Sequence, residues 1–337
     1  MKNKTEILKN SIQEFCSLIG SNRLIVQGAG GNISWKDQDI LWIKASGKRL
    51  AEAQSKNIFV PVSLISSNKN LTISCFEASP TALEGYTLKP SIETFLHALM
   101  PQKIVLHLHP VEILVHLIRD NLEKLFIQLF SERIKWGLIN YCKPGKELAL
   151  AIYKLLENKS DINVIFMKNH GVVIGGENIQ EIEEILNELL FTLKNKIYSR
   201  QFFEKNIYEP NEALLQGGYN CSEDKELNQL ALNPDLSVRL KKDWAISPDH
   251  IVFLGSKAAI LDSNNEYKNF SVTPPFIFDI KKGLYIHSSV TKNQKEQLQC
   301  YYDVLIRLNP SDKLSLLSDL SIAELLNWDA EKYRQHQ

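Results

Sequence analysis

Neither sign of charge prevails in this chain: 39 basic residues face 39 acidic ones over 337 positions, and neither forms a long block. That balance speaks against a protein built for nucleic acid or a membrane surface and favours small-molecule partners. No apolar run approaches the length that spans a bilayer, and the N-terminal lysines are not followed by the apolar stretch of a secretion signal. No Cys-x-x-Cys pair occurs, and the five cysteines, Cys16, Cys75, Cys142, Cys221 and Cys300, are scattered. Neither a disulfide framework nor a zinc ribbon is indicated, and a reduced, cytoplasmic location is expected. The third glycine of a dinucleotide fingerprint is also missing: Gly28-Ala29-Gly30-Gly31-Asn32 is followed by Ile33, with no helical pattern after it.

What is present centres on Lys103-Ile104-Val105-Leu106-His107-Leu108-His109-Pro110. An apolar, β-branched run reads as a buried strand, and histidines at i and i+2 on it share a face. Two imidazoles do not make a metal site. His170, in an Asn-His-Gly triplet between apolar half-strands, is the nearest third candidate, since glycine at a strand break permits close approach. The alternative is that His107 and His109 line a polar cavity or pair with carboxylates.

Elsewhere, Ile7, Leu8, Ile12, Phe15, Cys16 and Ile19 predict an amphipathic helix with Thr5 as its N-cap. Strands are expected at Leu24, Ile25 and Val26, at residues 40–45, at Ile58, Phe59 and Val60, and at Leu71, Thr72 and Ile73. The turns around Gly28 to Gly31 and at Ser46-Gly47 could present backbone N–H groups to an anion, with Lys44, Lys48 and Arg49 nearby; two plain hairpin turns are the simpler account. Ser91 suits a helix N-cap with Glu93 in the first turn, although a carboxylate just before a histidine strand is also placed to be a general base. Helices follow at residues 111–118, with His116, at 148–156, and along Ile182, Ile185, Leu186, Leu189, Leu190 and Leu193.

The length predicts one large domain with an extension, or two domains. The division expected is 1–215 and 216–337. In the latter, residues 275–286 can be laid over the His170 region, Ile277 on Ile165, Gly283 on Gly171 and Ile286 on Ile174, with Lys282 where His170 stands. The tail is therefore expected to be a smaller α/β lobe, a degenerate partial repeat without metal. His250 and His287 are candidates for a second site, against the simpler view that they are incidental.

The ordered motifs Gly-Gly-Asn-Ile-Ser (30–34), Ile-Lys-Ala-Ser-Gly (43–47), Pro-Ser-Ile-Glu (90–93), His-Leu-His-Pro (107–110), Tyr-x-x-Pro-Gly (141–145) and Asn-His-Gly (169–171) resemble the class II aldolase/adducin family. The spelling is most similar to its long, rhamnulose-1-phosphate-aldolase-like branch, in which a short-chain dehydrogenase often follows; the chain is too short to hold one. The resemblance implies an α/β/α three-layer sandwich with a largely antiparallel sheet, assembled as a homotetramer. It implies His107, His109 and His170 as ligands of zinc or another divalent ion, and Glu93 as catalytic acid/base. It implies Gly31, Asn32, Ser46, Gly47 and Ser91 as the phosphate-binding positions.

The function so implied is that of a zinc-dependent aldolase-type lyase cleaving a phosphorylated ketose through a metal-stabilised enediolate. The same platform serves epimerases and dehydratases of sugar phosphates, and the fold serves non-catalytic sugar-binding or assembly modules. Tyr86, Tyr141 and Tyr219 are candidates for a further acid.

Overall fold

The computed structural model describes residues 2–64, 80–130, 134–198, 202, 210–262 and 273–329. The strand expected at Leu71, Thr72 and Ile73, and Cys75, lie outside them. The chain divides into two compact units, one of Met1–Leu117, Asn121–Lys196 and Asp329–Gln337, the other of Ile118–Asp120 and Ile197–Trp328.

In the first unit the elements are α1 (Lys2–Gly20), β1 (Asn32–Asp37), β2 (Ile40–Lys44), a short 3-10 turn (Leu50–Glu52), β3 (Phe59–Ser63), α2 (Thr94–Leu99) and β4 (Ile104–Leu108). They continue with α3 (Val111–Leu117), α4 (Leu122–Leu129), β5 (Trp136–Ile139), α5 (Lys146–Asn158), β6 (Val164–Met167), β7 (Gly171–Gly176) and α6 (Ile179–Lys194). The seven strands form one sheet in the order β3-β2-β1-β4-β7-β6-β5, antiparallel except between β5 and β6.

Period-two alternation assigns each strand residue to a face. Ile33, Trp35, Leu106, Phe166, Val172 and Ile174 pack on one face, with the apolar stripes of α1 and α6. Val105, Ile165, Met167 and Val173 pack on the other, against Leu96 and Met100 and against Leu148 and Ile152 of α5. Helices on both faces of a mostly antiparallel sheet give the α/β/α sandwich expected. The α6 stripe, Ile182, Ile185, Leu186, Leu189 and Leu193, repeats at helical spacing, and the Asn178 side chain caps the helix by accepting the Glu181 N–H.

Three local expectations are corrected. Helix α1 already begins at Lys2, so Thr5 lies within it rather than at its cap. Leu24, Ile25 and Val26 form no strand: the Asn22 side chain accepts the Leu24 N–H, and its carbonyl accepts those of Ile25 and Val26, winding the segment into turns. The strand begins instead at Asn32. Ser91 does not cap α2, which starts at Thr94 behind Glu93; its hydroxyl accepts the Glu93 N–H in a tight turn.

The second unit contains α7 (Glu212–Gln216), β8 (Tyr219–Cys221), α8 (Lys225–Leu232), α9 (Pro234–Lys242), α10 (Pro248–Leu254), β9 (Ala259–Leu261), β10 (Phe276–Asp279), β11 (Gly283–His287), α11 (Lys292–Leu305) and α12 (Asp319–Leu326). Its four strands form a sheet ordered β8-β11-β10-β9. This is the smaller α/β lobe the sequence led us to expect. Among the described residues no helix is long and apolar enough to cross a membrane.

Candidate metal centre

Strand β4 is central, flanked by β1 and β7, and places His107 opposite Asn32 on one side and Val173 on the other. His107 shares the face of Val105, the side on which Leu96 and Met100 pack. His109 follows the end of β4. His170 closes the β6–β7 turn, where Asn169 takes a left-handed conformation (φ 57°) that asparagine tolerates better than most residues. Gly171 permits the approach, since a Cβ there would stand 2.3 Å from the Leu108 carbonyl oxygen.

The three imidazoles converge with ligand atoms within 4.8 Å of one another, the one such group of three or more potential ligands among the described residues. Nε2 of His109 lies 2.9 Å from Nε2 of His107. Oε1 of Glu93 stands 3.2 Å from His170 Nε2 and 3.4 Å from His107 Nε2. His107 Nδ1–H donates to the Val172 carbonyl at 3.1 Å, which leaves the Nε2 lone pair facing the cluster. Burial lowers the His107 pKa to about 3, so the ring is neutral near pH 7. Burial alone would raise that of Glu93, but His107 and a hydrogen bond from His170 outweigh it and hold the carboxyl below its usual range. Three converging imidazoles beside an ionised carboxylate fit a divalent cation, with Glu93 within reach as acid/base or further ligand.

Glu93 is anchored from β1. The Asn32 side-chain amide donates to its Oε2 at 2.9 Å. Two residues on, the Ser34 hydroxyl meets His97 Nδ1 at 2.8 Å, and two further on Lys36 Nζ donates to the Met100 carbonyl. One strand face, at period two, thus grips Glu93, His97 and Met100 at helical spacing. Sequence reading missed this; the alternation of Asn32, Ser34 and Lys36 with Ile33 and Trp35 was the available signal.

The candidate anion-binding positions are also drawn together. Gly31 and Gly47 adopt left-handed conformations (φ 68° and 75°). Ala45 bridges Pro90, and the Ser46 N–H donates to the Lys89 carbonyl, bringing the Ser46-Gly47 turn beside Ser91. Lys44 is 1% exposed, and its Nζ donates to the Ala29 carbonyl at 2.9 Å and the Lys48 carbonyl at 2.6 Å, joining the glycine loop to that turn. The Asn32 side chain is directed to Glu93.

Tyr86 is exposed and packs its ring on Trp42; the Tyr219 hydroxyl donates to the Pro274 carbonyl. His250 is packed between the rings of Trp244 and Tyr301, and His287 Nδ1 meets the Ser289 hydroxyl.

The family model described as Class II Aldolase and Adducin N-terminal domain matches residues 10–195. A Bacillus subtilis (strain 168) protein described as uncharacterized oxidoreductase YuxG is 28% identical over 214 residues, which are 58% of this chain but 31% of that relative's length. An L-fuculose phosphate aldolase of Methanococcus vannielii is 24% identical over 188 residues, 52% of this chain and 90% of its own. Among solved structures, the N-terminal class II aldolase domain of a Thermoplasma acidophilum protein has a TM-score of 0.45 at 23% identity, covering 55% of this chain and 91% of that one. A sugar-phosphate aldolase from Thermotoga maritima has a TM-score of 0.45 at 17% identity, covering 57% and 94%.

Proposed function

The chain belongs to the class II aldolase and adducin family, and on that premise we propose that it is a zinc-dependent lyase of the aldolase type, cleaving a phosphorylated ketose. The observation that carries this reading is the convergence of His107, His109 and His170 with Glu93 Oε1 at 3.2 and 3.4 Å from two of the rings. The three imidazoles would hold the ion, which when bound supplies Lewis-acid polarisation of the substrate carbonyl. Glu93, ionised and held by Asn32, accepts the hydroxyl proton released as the carbon–carbon bond breaks and returns a proton to the product carbon. The loops at Gly31-Asn32 and Ser46-Gly47, with Ser91, hold the phosphate and so fix the reacting carbons over the imidazoles. We place the enzyme in the cytoplasm as a homotetramer.

A panel of ketose 1- and 5-phosphates, analysed for aldehyde and triose phosphate against isomerised sugar, tests the reaction. Released aldehyde supports a lyase. Isomerised or dehydrated product without cleavage assigns the same site to an epimerase or dehydratase. A purified protein without bound metal, inert toward the whole panel, would leave a non-catalytic module. Glu93→Gln with undiminished turnover would remove Glu93 from the mechanism.

A further inference from the structure

The second unit repeats, strand for strand, four of the seven strands in the sheet that carries the candidate metal centre. In the first unit β4, β5, β6 and β7 lie in the order β4-β7-β6-β5; in the second, β8, β9, β10 and β11 lie in the order β8-β11-β10-β9. Directions agree at every pairing: antiparallel for β4–β7 and β8–β11, antiparallel for β6–β7 and β10–β11, parallel for β5–β6 and β9–β10. Registers agree as well. Met167 pairs with Gly171 as Asp279 pairs with Gly283, and Gly137 with Ile165 as Ala259 with Ile277. A helix follows each hairpin, α6 in one case and α11 in the other.

The packing follows the same correspondence. Tyr219, Leu261, Ile277 and Tyr285 form one cluster with Leu214, the third residue of α7. Their counterparts Val105, Ile139, Ile165 and Val173 form one cluster with Leu96, the third residue of α2. Shared strand order alone can arise by convergence. Shared order, direction, register and core positions together are far more restrictive.

We infer that the second unit is a degenerate copy of the metal-binding half of the first, in which every ligand has been replaced and a tyrosine takes the place of the ion. His107 pairs with Val173, and its counterpart Cys221 pairs with Tyr285. Two residues on, Glu223 stands for His109, and Lys282, before the glycine of the hairpin, stands for His170. Glu93, at the N-cap of α2, corresponds to Asn211, at the N-cap of α7. Tyr285 replaces Val173 and is fully buried. Its hydroxyl accepts the Asn211 N–H at 2.8 Å, its backbone stands directly across the strand pair from Cys221, and Lys282 Nζ reaches the Pro210 carbonyl at 3.4 Å. The phenol therefore fastens the counterpart of Glu93 from the position across from the counterpart of His107, where an ion would join the originals. Among the described residues the second unit then contributes no Lewis acid, and the ion belongs to the first unit.

This inference takes the three-histidine centre as read above, and restoring the lost ligands tests it. Cobalt(II) binding is measured by its visible spectrum and by metal analysis. The measurement compares the wild type, the triple variant Cys221→His, Glu223→His, Lys282→His, and the same variant with Tyr285→Val added. One equivalent in the wild type and a second in the quadruple variant are expected, bound more tightly than in the triple variant. The triple variant alters only half-exposed or exposed side chains and decides the matter if the quadruple variant does not fold. Folded variants that take up no cobalt beyond the wild type overturn the inference. Wild type binding none while the variants bind one would refute the three-histidine reading and leave the duplication standing.

Discussion

The side-chain amide of Asn32 donates a 2.9 Å hydrogen bond to Oε2 of Glu93, 61 residues further along the chain. The contact leaves Oε1 of the same carboxylate turned toward His107 and His170. Asn32→Ala deletes one hydrogen bond to a buried charge, worth about 1.5–3 kcal/mol. With that loss expressed in the transition state, kcat falls about 10- to 100-fold, while KM and bound metal change little. Steady-state kinetics with metal analysis check this; a raised KM at unchanged kcat would place the Asn32 side chain on the substrate anion instead.

Gly171→Ala tests the close approach of β7 to the end of β4. The added Cβ would meet the Leu108 carbonyl oxygen at 2.3 Å and His109 Cδ2 at 2.6 Å, so backbone or imidazole must move. A loss of about 1–3 kcal/mol is expected for overpacking of this kind, together with weaker metal retention during dialysis against a chelator. Unchanged melting and metal content would show that the turn yields without strain.

Lys44→Met keeps much of the side-chain volume and removes the donors that join the Ala29 and Lys48 carbonyls. Two half-buried acceptors each lose a donor that water can partly replace, at about 0.5–1.5 kcal/mol apiece. The anion loops then separate. Millimolar inorganic phosphate is expected to raise the melting temperature of the wild type and not that of the variant; an equal rise in both would detach Lys44 from the anion site.

His250 makes stability pH-dependent. Burial lowers its pKa from 6.5 to about 3, so between those values the unfolded chain binds a proton that the folded chain refuses. Its contribution is therefore complete above pH 6.5 and is lost as pH falls toward 3, with a limiting slope of about 1.4 kcal/mol per pH unit. Urea denaturation at pH 7 and pH 5 should show a smaller difference for His250→Gln than for the wild type. The same difference in both would assign the acid sensitivity elsewhere.

Much of the first unit was legible because its elements carry strong local periodicity. The β4 run, the α6 stripe and the Asn-His-Gly break each declare themselves within a few residues. The misreadings fall where a polar side chain competes with the backbone. Asn22 turns the expected strand of Leu24 to Val26 into turns, and Ser91 accepts the Glu93 N–H instead of capping α2. Strand β1 escaped notice because Asn32 and Ser34 are polar and buried and Lys36 is half-buried, a combination that makes sense only once α2 lies over them.

The sequence by itself determined the residue types, their order and the faces they occupy: an H-x-H pair on one strand, a third histidine beside glycine, and a carboxylate upstream. Those follow from the two-residue period of strands and the steric freedom of glycine, which are local properties. Only the tertiary structure decided that these groups converge, that Asn32 holds Glu93, that Lys44 is buried, and that the buried Tyr285 hydroxyl accepts the Asn211 N–H. Hydrogen bonds and packing between residues dozens of positions apart depend on sheet order and register, which no short window of the chain encodes.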